Sequence, residues 1–290
     1  MSSYVIPKVI AEIGCNHKGD IDIAKELILL AKECKADYAK FQKRNPKELL
    51  TTEQYEAPHQ VPYNSYGQSY GAHREFLEFD IDQHRELQSY AESVGIGYAC
   101  SVWDMTSAQE IASLDPDFIK IPSACNNNIP MIEYLRDNYK GQIHASLGMT
   151  TQDEEKVLLD LFSGISDQRL VLYSCTSGYP VPFDNVCLME IERIHDSYGD
   201  RLSDVGFSGH HLGIAIDIAA YTLGVGWIER HFTKDRTWKG TDHAASLEPA
   251  GLSKLVRDLH ATYSALQYKP NQILDIEKEQ RQKLKYRNQN

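Results

Sequence analysis

No run of about 18 consecutive apolar residues occurs in this 290-residue chain, so nothing in it reads as a membrane span. Positive charge is also short: 30 Lys and Arg stand against 41 Asp and Glu, a formal charge of −11. A nucleic-acid-binding face has to be basic, which sets nucleic acid aside as a partner. Small anions stay within reach, because a few local Lys, Arg and backbone donors suffice to hold them. The six cysteines (Cys15, Cys34, Cys100, Cys125, Cys175 and Cys187) are scattered, with no CxxC pair. That spacing gives no zinc ribbon, and reduced thiols in a cytoplasmic protein are the expectation. The N-terminal MSSYVIPKVIAEIG has no basic segment leading into a long apolar one, so no secretory signal is expected there. No GxGxxG follows the first apolar run and no Walker motif occurs, which weakens any dinucleotide or nucleoside-triphosphate reading.

What the chain does have is an alternation of short apolar runs with helix-period segments. The runs fall at residues 9–13, 38–42, 97–100, 118–121, 143–146, 170–173, 205–207 and 226–228. Asp20 caps the first helix, whose apolar face is Ile21, Ala24, Leu27, Ile28 and Ala31. Asp82 starts a helix that Gly95 stops. Thr106 with Gln109, and Thr151 with Glu154, read as capping boxes. A helix covers 188–194, and Pro249 opens the last one as a first-turn proline. Residues 43–79, rich in Tyr, Pro, Gly, Ser and Gln, read as a long functional loop. Eight strand–helix units predict an α/β protein, a (β/α)8 TIM barrel over residues 1–268. Residues 269–290 form a polar, charged tail.

In such a barrel, residues near the C-terminal ends of the strands share one mouth. These are Glu12, Lys40, Ser101, Lys120, Ser146, Ser177, Ser208, His210, Glu229 and His231. Lys40 and Lys120 lie inside apolar strands, where both sheet faces are covered, so they are expected to point inward for a purpose. Two such lysines and several hydroxyls suit a phosphate or carboxylate. His210 and His231, at the exits of successive strands, suit a divalent ion such as Mn²⁺ or Mg²⁺ that polarises a carbonyl. Arg230 alternates away from this mouth towards the helix layer. His211 and His243 read as supporting groups, and His17 as a residue ordering its loop. Cys125, with no paired His, is a poor nucleophile candidate.

Several of these segments resemble the sialic acid synthase (N-acetylneuraminate synthase) family. The matching pieces are AEIGCNHKGD (11–20), AKFQ (39–42), YGAHREFLEF (70–79), KIPS (120–123), SLGM (146–149) and CTSGYPVPFDNV (175–186). They continue with GFSGHHLGIAI (206–216) and IERHFTKDRTWKGTDHAASLEP (228–249). The resemblance implies a metal-dependent synthase, a transferase of carbohydrate biosynthesis. It would condense phosphoenolpyruvate with an aldose resembling N-acetylmannosamine, free or 6-phosphorylated. The products would be a nonulosonic acid and phosphate. It implies His210 and His231 as ligands of Mn²⁺ or Mg²⁺. Lys40, Lys120, Ser101, Ser123, Ser146, Ser177 and Ser208 would hold phosphoenolpyruvate. Glu12 would handle a proton or orient water. Glu229, Tyr179 and Asp242 would meet the metal's water shell, phosphoenolpyruvate or the sugar. The family carries an acidic residue where this chain has Cys125. It also carries a C-terminal antifreeze-like (SAF) domain, to which 269–290 would be the remnant of a linker. A homodimer is expected. Three other readings stand beside this one: a phosphoenolpyruvate-condensing synthase of a shorter 3-deoxy sugar acid, a metal-dependent aldolase, and a non-catalytic barrel that binds sugar acids.

Overall fold

Each short apolar run becomes a parallel strand because the helix after it returns the chain to the same end of the sheet. The computed structural model describes residues 4–164 and 169–286. Its strands are Lys8–Gly14 (β1), Tyr38–Lys43 (β2), Gly97–Val102 (β3), Phe118–Ile121 (β4), Gln142–Ser146 (β5), Leu170–Cys175 (β6), Asp204–Gly209 (β7) and Trp227–His231 (β8). They pair in sequence order, all parallel, and β8 closes on β1. The expected (β/α)8 barrel is therefore the observed one.

Strand alternation divides the barrel interior into two levels. The lower level is an aromatic plug of Tyr38, Phe118, His144, Tyr173 and Trp227. His144 stacks on Phe118 with ring centroids 3.9 Å apart, meets Trp227 edge-on at 4.6 Å, and lies 2.9 Å from the Tyr173 hydroxyl. Two residues further along β2, β4 and β8, on the same face, come Lys40, Lys120 and Glu229. Gly206 on β7 leaves room for the plug, since a Cβ there would stand 2.5 Å from the Tyr173 ring. Outside the barrel, Ala24, Leu27, Ile28, Leu87, Ile111, Leu135, Leu158 and Leu255 bury helix faces against the sheet.

Several local expectations shift. β3 runs on through Val102 and β8 through His231, so Ser101, Glu229 and His231 lie within strands rather than past them. The helix after β3 is capped by Asp104, which accepts from Ser107 N, and not by a Thr106–Gln109 box. Asp104 wins because its carboxylate also takes the Asn45 N–H at 2.6 Å, tying two loops together. The helix read from Asp82 begins at Ile81 with Asp80 and Gln83 as its box. The helix expected over 188–194 is Glu190–Tyr198. Asp20, Gly95, Thr151 with Glu154, and Pro249 act as expected. The segment 43–79 is not plain loop: it holds short helices at Pro46–Leu49, Thr52–Glu56 and Tyr70–Leu77. In the tail, helix Asp275–Leu284 buries none of its residues, and residues 287–290 lie outside the described part. Among the described residues no helix is long and apolar enough to cross a membrane.

His84, wholly buried on helix Ile81–Val94 with Nδ1 2.7 Å from the Tyr98 hydroxyl, tests this packing. Burial first, then the Lys43 and His17 charges, push its pKa down to about 3. Below the ordinary histidine value of about 6.5 the unfolded chain takes up a proton that the folded chain refuses, so stability falls with pH. Urea unfolding of His84→Gln should show a slope of stability against pH, between pH 6 and 5, smaller by roughly 1 kcal/mol per unit than the parent.

Candidate active site

Four charged side chains sit directly on the aromatic plug. Lys40 Nζ pairs with Glu12 Oε2, donates to Ser101 Oγ at 2.7 Å, and lies 3.6 Å from Glu229 Oε2. Lys120 Nζ donates to the same Glu229 Oε2 at 3.1 Å and stands 3.2 Å above the centroid of the Tyr173 ring. Ser208 Oγ donates to Glu229 Oε1 at 3.1 Å, and Gln42 Nε2 to Glu12 Oε1 at 2.6 Å. All four charged groups are at least nine-tenths buried. Burial alone would drive the carboxyl of Glu229 up, but Lys120 and Lys40 outweigh it and hold it well below the usual carboxylate range. Burial would likewise drive Lys40 down, and Glu12 and Glu229 reverse this. Lys120 differs. Burial lowers its pKa, Glu229 opposes, Lys40 adds to the fall, and the net direction is down.

Above this floor stand two imidazoles. His210 and His231 have ring centroids 5.4 Å apart, with Tyr179 against both at 4.3 and 5.8 Å. The Thr176 carbonyl lies 2.9 Å from His210 Nδ1. A carbonyl can only accept, so Nδ1 carries the proton and Nε2 keeps a free lone pair. Burial and the neighbouring His231 pull the His210 pKa down to about 4, so the ring is neutral at physiological pH. His231 Nδ1 is buried with no hydrogen-bond partner. Across the mouth, Gly148 N donates to Ser123 Oγ at 3.0 Å. A Cβ on Gly148 would strike Ser177 Oγ at 2.4 Å and Ser123 Oγ at 2.8 Å, so only glycine lets these donors gather.

One cavity of about 330 Å³ joins these parts. Its walls include Glu12, Lys40, Ser101, Lys120, Ser123, Ser146, Ser177, Tyr179, Ser208, His210, Glu229 and His231, that is, every expected site residue except Asp242. Asp242 stays close enough that the His231 charge lowers its pKa against the pull of burial. The arrangement offers cations and hydroxyls for an anion on one side and two imidazoles on the other. The NeuB family profile matches residues 27–271. The chain belongs to the NeuB family. It is 40% identical to human N-acetylneuraminate-9-phosphate synthase over 93% of this chain and 74% of that one. It is 35% identical to the N,N'-diacetyllegionaminic acid synthase of Campylobacter jejuni, over 89% of this chain and 77% of the other. Among solved structures, N-acetylneuraminic acid (sialic acid) synthetase from Leptospira borgpetersenii superposes with a TM-score of 0.80 at 25% identity, covering 98% of this chain and 94% of that one.

In this NeuB member the residues just outside the cavity hold its loops. Arg230 turns away from the mouth and donates to His211 O at 2.7 Å and Gly213 O at 2.8 Å, and pairs with buried Asp217. It thereby clamps the loop that carries His210. Asn16 Nδ2 donates to Phe232 O and Ser246 Oγ, joining the first loop to the last. His17 stacks on Phe79 at 4.1 Å and accepts from Gly19 N, an ordering role. Cys125 is held neutral, its pKa pushed up to about 12 chiefly by burial, as a poor nucleophile requires. Gln42, Trp103, Met149 and Cys175 also line the cavity and carried no site expectation. Gln42 and Cys175 were findable, since each lies two residues beyond an inward residue of its strand, Lys40 and Tyr173.

Removing one member of a buried charge set leaves the others uncompensated. Lys40→Met should lower the unfolding free energy by about 3–5 kcal/mol in urea titrations. Adding Glu12→Gln should recover a large part of that loss, and fully additive losses would mean that the pair is not coupled.

Proposed function

We propose that this chain condenses phosphoenolpyruvate with the open-chain aldehyde of an N-acylaminohexose, free or 6-phosphorylated, giving a nonulosonic acid and phosphate. The observation that carries this reading is the single cavity with paired lysines and hydroxyls on its floor and two imidazoles on its rim. The names of the related synthases support it. Lys40, Lys120, Ser101, Ser146 and Ser208 would receive one anionic group of phosphoenolpyruvate. Ser123, Ser177 and the Gly148 N–H would receive the other. Glu229 is shared by both lysines and holds them charged and aimed until the substrate arrives.

A divalent ion, Mn²⁺ or Mg²⁺, fits the rim. His210 offers a free Nε2, and His231 has a buried, unpartnered Nδ1. Among the described residues no cluster of three or more His, Cys, Asp or Glu stands as a closed ligand set. Two imidazoles alone would leave the other positions of such an ion to water and substrate. When bound, it would polarise the aldehyde oxygen as a Lewis acid. Carbon 3 of phosphoenolpyruvate then forms a bond to the aldehyde carbon, whose oxygen takes a proton and becomes a hydroxyl. Water adds at the electron-deficient carbon 2 and passes a proton to Glu12. The resulting hemiketal phosphate collapses to the 2-keto acid: its C–O bond to phosphate breaks, and the hydroxyl proton leaves with the departing phosphate. Tyr179, beside both imidazoles, and Asp242 would orient the sugar.

The test incubates the protein with phosphoenolpyruvate, Mn²⁺ and a panel of free and 6-phosphorylated aldoses, with and without an acylamino group. Phosphate release should require an aldose and should stop with a chelator. His210→Ala should lower turnover at least about 100-fold and weaken Mn²⁺ binding in a titration without substrate. Unchanged turnover would remove the metal assignment. Cleavage of a sugar acid without phosphoenolpyruvate would favour an aldolase.

A further inference from the structure

The two imidazoles of the rim belong to different strands, so their spacing depends on what ties those strands together. His210 directly follows β7, and His231 ends β8. On one side His210 is held by the loop after β6: its Nδ1 donates to Thr176 O at 2.9 Å, and its carbonyl accepts from Val181 N at 3.0 Å. The tie to β8 runs behind the barrel wall, through Arg230.

Arg230 stands between Glu229 and His231 on β8 and takes the opposite face. In register it lies beside Gly209, the last residue of β7. Its Nη2 donates to His211 O at 2.7 Å and its Nη1 to Gly213 O at 2.8 Å, so one planar fork grips the loop at two points just past His210. The His211 ring folds back onto the same cation, with Nε2 3.1 Å from Nη1 and 3.3 Å from Asp217 Oδ2. A Cβ on Gly209 would stand 2.9 Å from His211 Cε1, so the bare backbone there admits the ring. Asp217, in the first turn of helix Ala215–Thr222, completes the group by pairing with Arg230. Arg230, Asp217 and His211 are each at most 1% exposed.

Stability does not call for this cluster. Packed apolar side chains of similar volume fill such an interface as well as a buried ion pair or better, because the ions give up their hydration. Apolar side chains cannot, however, hold two carbonyls of one loop at fixed positions. Among the described residues every side-chain hydrogen bond of Arg230 goes to residues 211–217. The pair therefore acts on the loop of His210 and not on the lysines and serines of the floor.

We infer that Asp217 and Arg230 are positioning residues for the imidazole half of the site: their buried pair sets the spacing of His210 and His231, and with it the affinity for a divalent ion, without holding phosphoenolpyruvate. This rests on the reading of the rim as a Mn²⁺ or Mg²⁺ site given above. It adds which residues outside the cavity govern that site, and it separates them from those that govern the anion.

The experiment compares the parent with Asp217→Asn and with the double variant Arg230→Met, Asp217→Leu. Asp217→Asn leaves Arg230 charged and unpaired, and should weaken folding. The double variant removes both charges at similar volume and should regain most of that stability in urea. Mn²⁺ titrated into the double variant without substrate should still bind about 10- to 100-fold more weakly than in the parent, the usual cost of losing groups that orient metal-binding imidazoles. Calorimetric affinity for phosphoenolpyruvate, measured without metal, should stay near that of the parent. Hydrogen–deuterium exchange, also without metal, should quicken in residues 209–216 of the double variant while residues 38–43 keep the rate of the parent. Mn²⁺ affinity that returns together with stability, a loss of phosphoenolpyruvate affinity as large as that for Mn²⁺, or unchanged exchange in residues 209–216 would each overturn the inference. If the parent binds no Mn²⁺, the metal reading of the rim falls, and the exchange rates still decide whether the pair holds the His210 loop.

Discussion

Two lysines and two glutamates locked together inside a closed barrel set the terms for the rest of this molecule. Burying four charges is unfavourable unless each is paired and its remaining hydrogen-bonding positions are filled. Ser101, Ser208 and Gln42 fill several of them, and the Tyr173 ring supports Lys120 from below. Such a layer contributes little net stability of its own. The apolar contacts that offset it lie elsewhere, in the aromatic plug beneath and in the ring of helices outside. The fold thus separates stability, at the lower level and the periphery, from chemistry, at the upper level and the loops.

The loops follow from the same constraint. A floor that balances its own charge can receive an anion only if donors from several strands converge on one volume. Gly148, by lacking a Cβ, lets the Ser123 and Ser177 hydroxyls crowd the same backbone position. Arg230 uses the outward side of β8 to clamp the loop bearing His210, so one strand supplies Glu229 and His231 inward and the brace for His210 outward. Asn16 closes the ring by joining the first and last loops.

The barrel and most of the mouth were legible because a parallel strand shows its period of two and its exit in sequence. Lys40 and Lys120 stood out as charges in apolar runs, and His210 and His231 as histidines at successive exits. The pairing of Lys40 with Glu12 and of Lys120 with Glu229 was not legible. Strand order follows from topology, but which side chain leans across a barrel depends on register, and β1 shifts register against β2 after Glu12. The Thr106–Gln109 box failed for a comparable reason, since Asp104 also serves a second loop through Asn45 N and so fixed the helix start. Segment 43–79 hid its short helices because they bury too little apolar surface to show a period, and two of the three start at purely local caps, Thr51 with Gln54 and Ser69. Arg74 lies in that segment, and it lines two cavities distinct from the one that holds the site.

The central claim is that Glu229 occupies, in the resting protein, the cations that phosphoenolpyruvate takes over. Its carboxylate would then compete with the substrate for Lys40 and Lys120. Calorimetric titration of phosphoenolpyruvate into the parent and into Glu229→Gln, without acceptor, measures this competition. Glu229→Gln should bind phosphoenolpyruvate more tightly than the parent and turn over more slowly once acceptor is supplied. Equal or weaker binding in the variant would contradict it, and would mean that the anion is held elsewhere in the barrel.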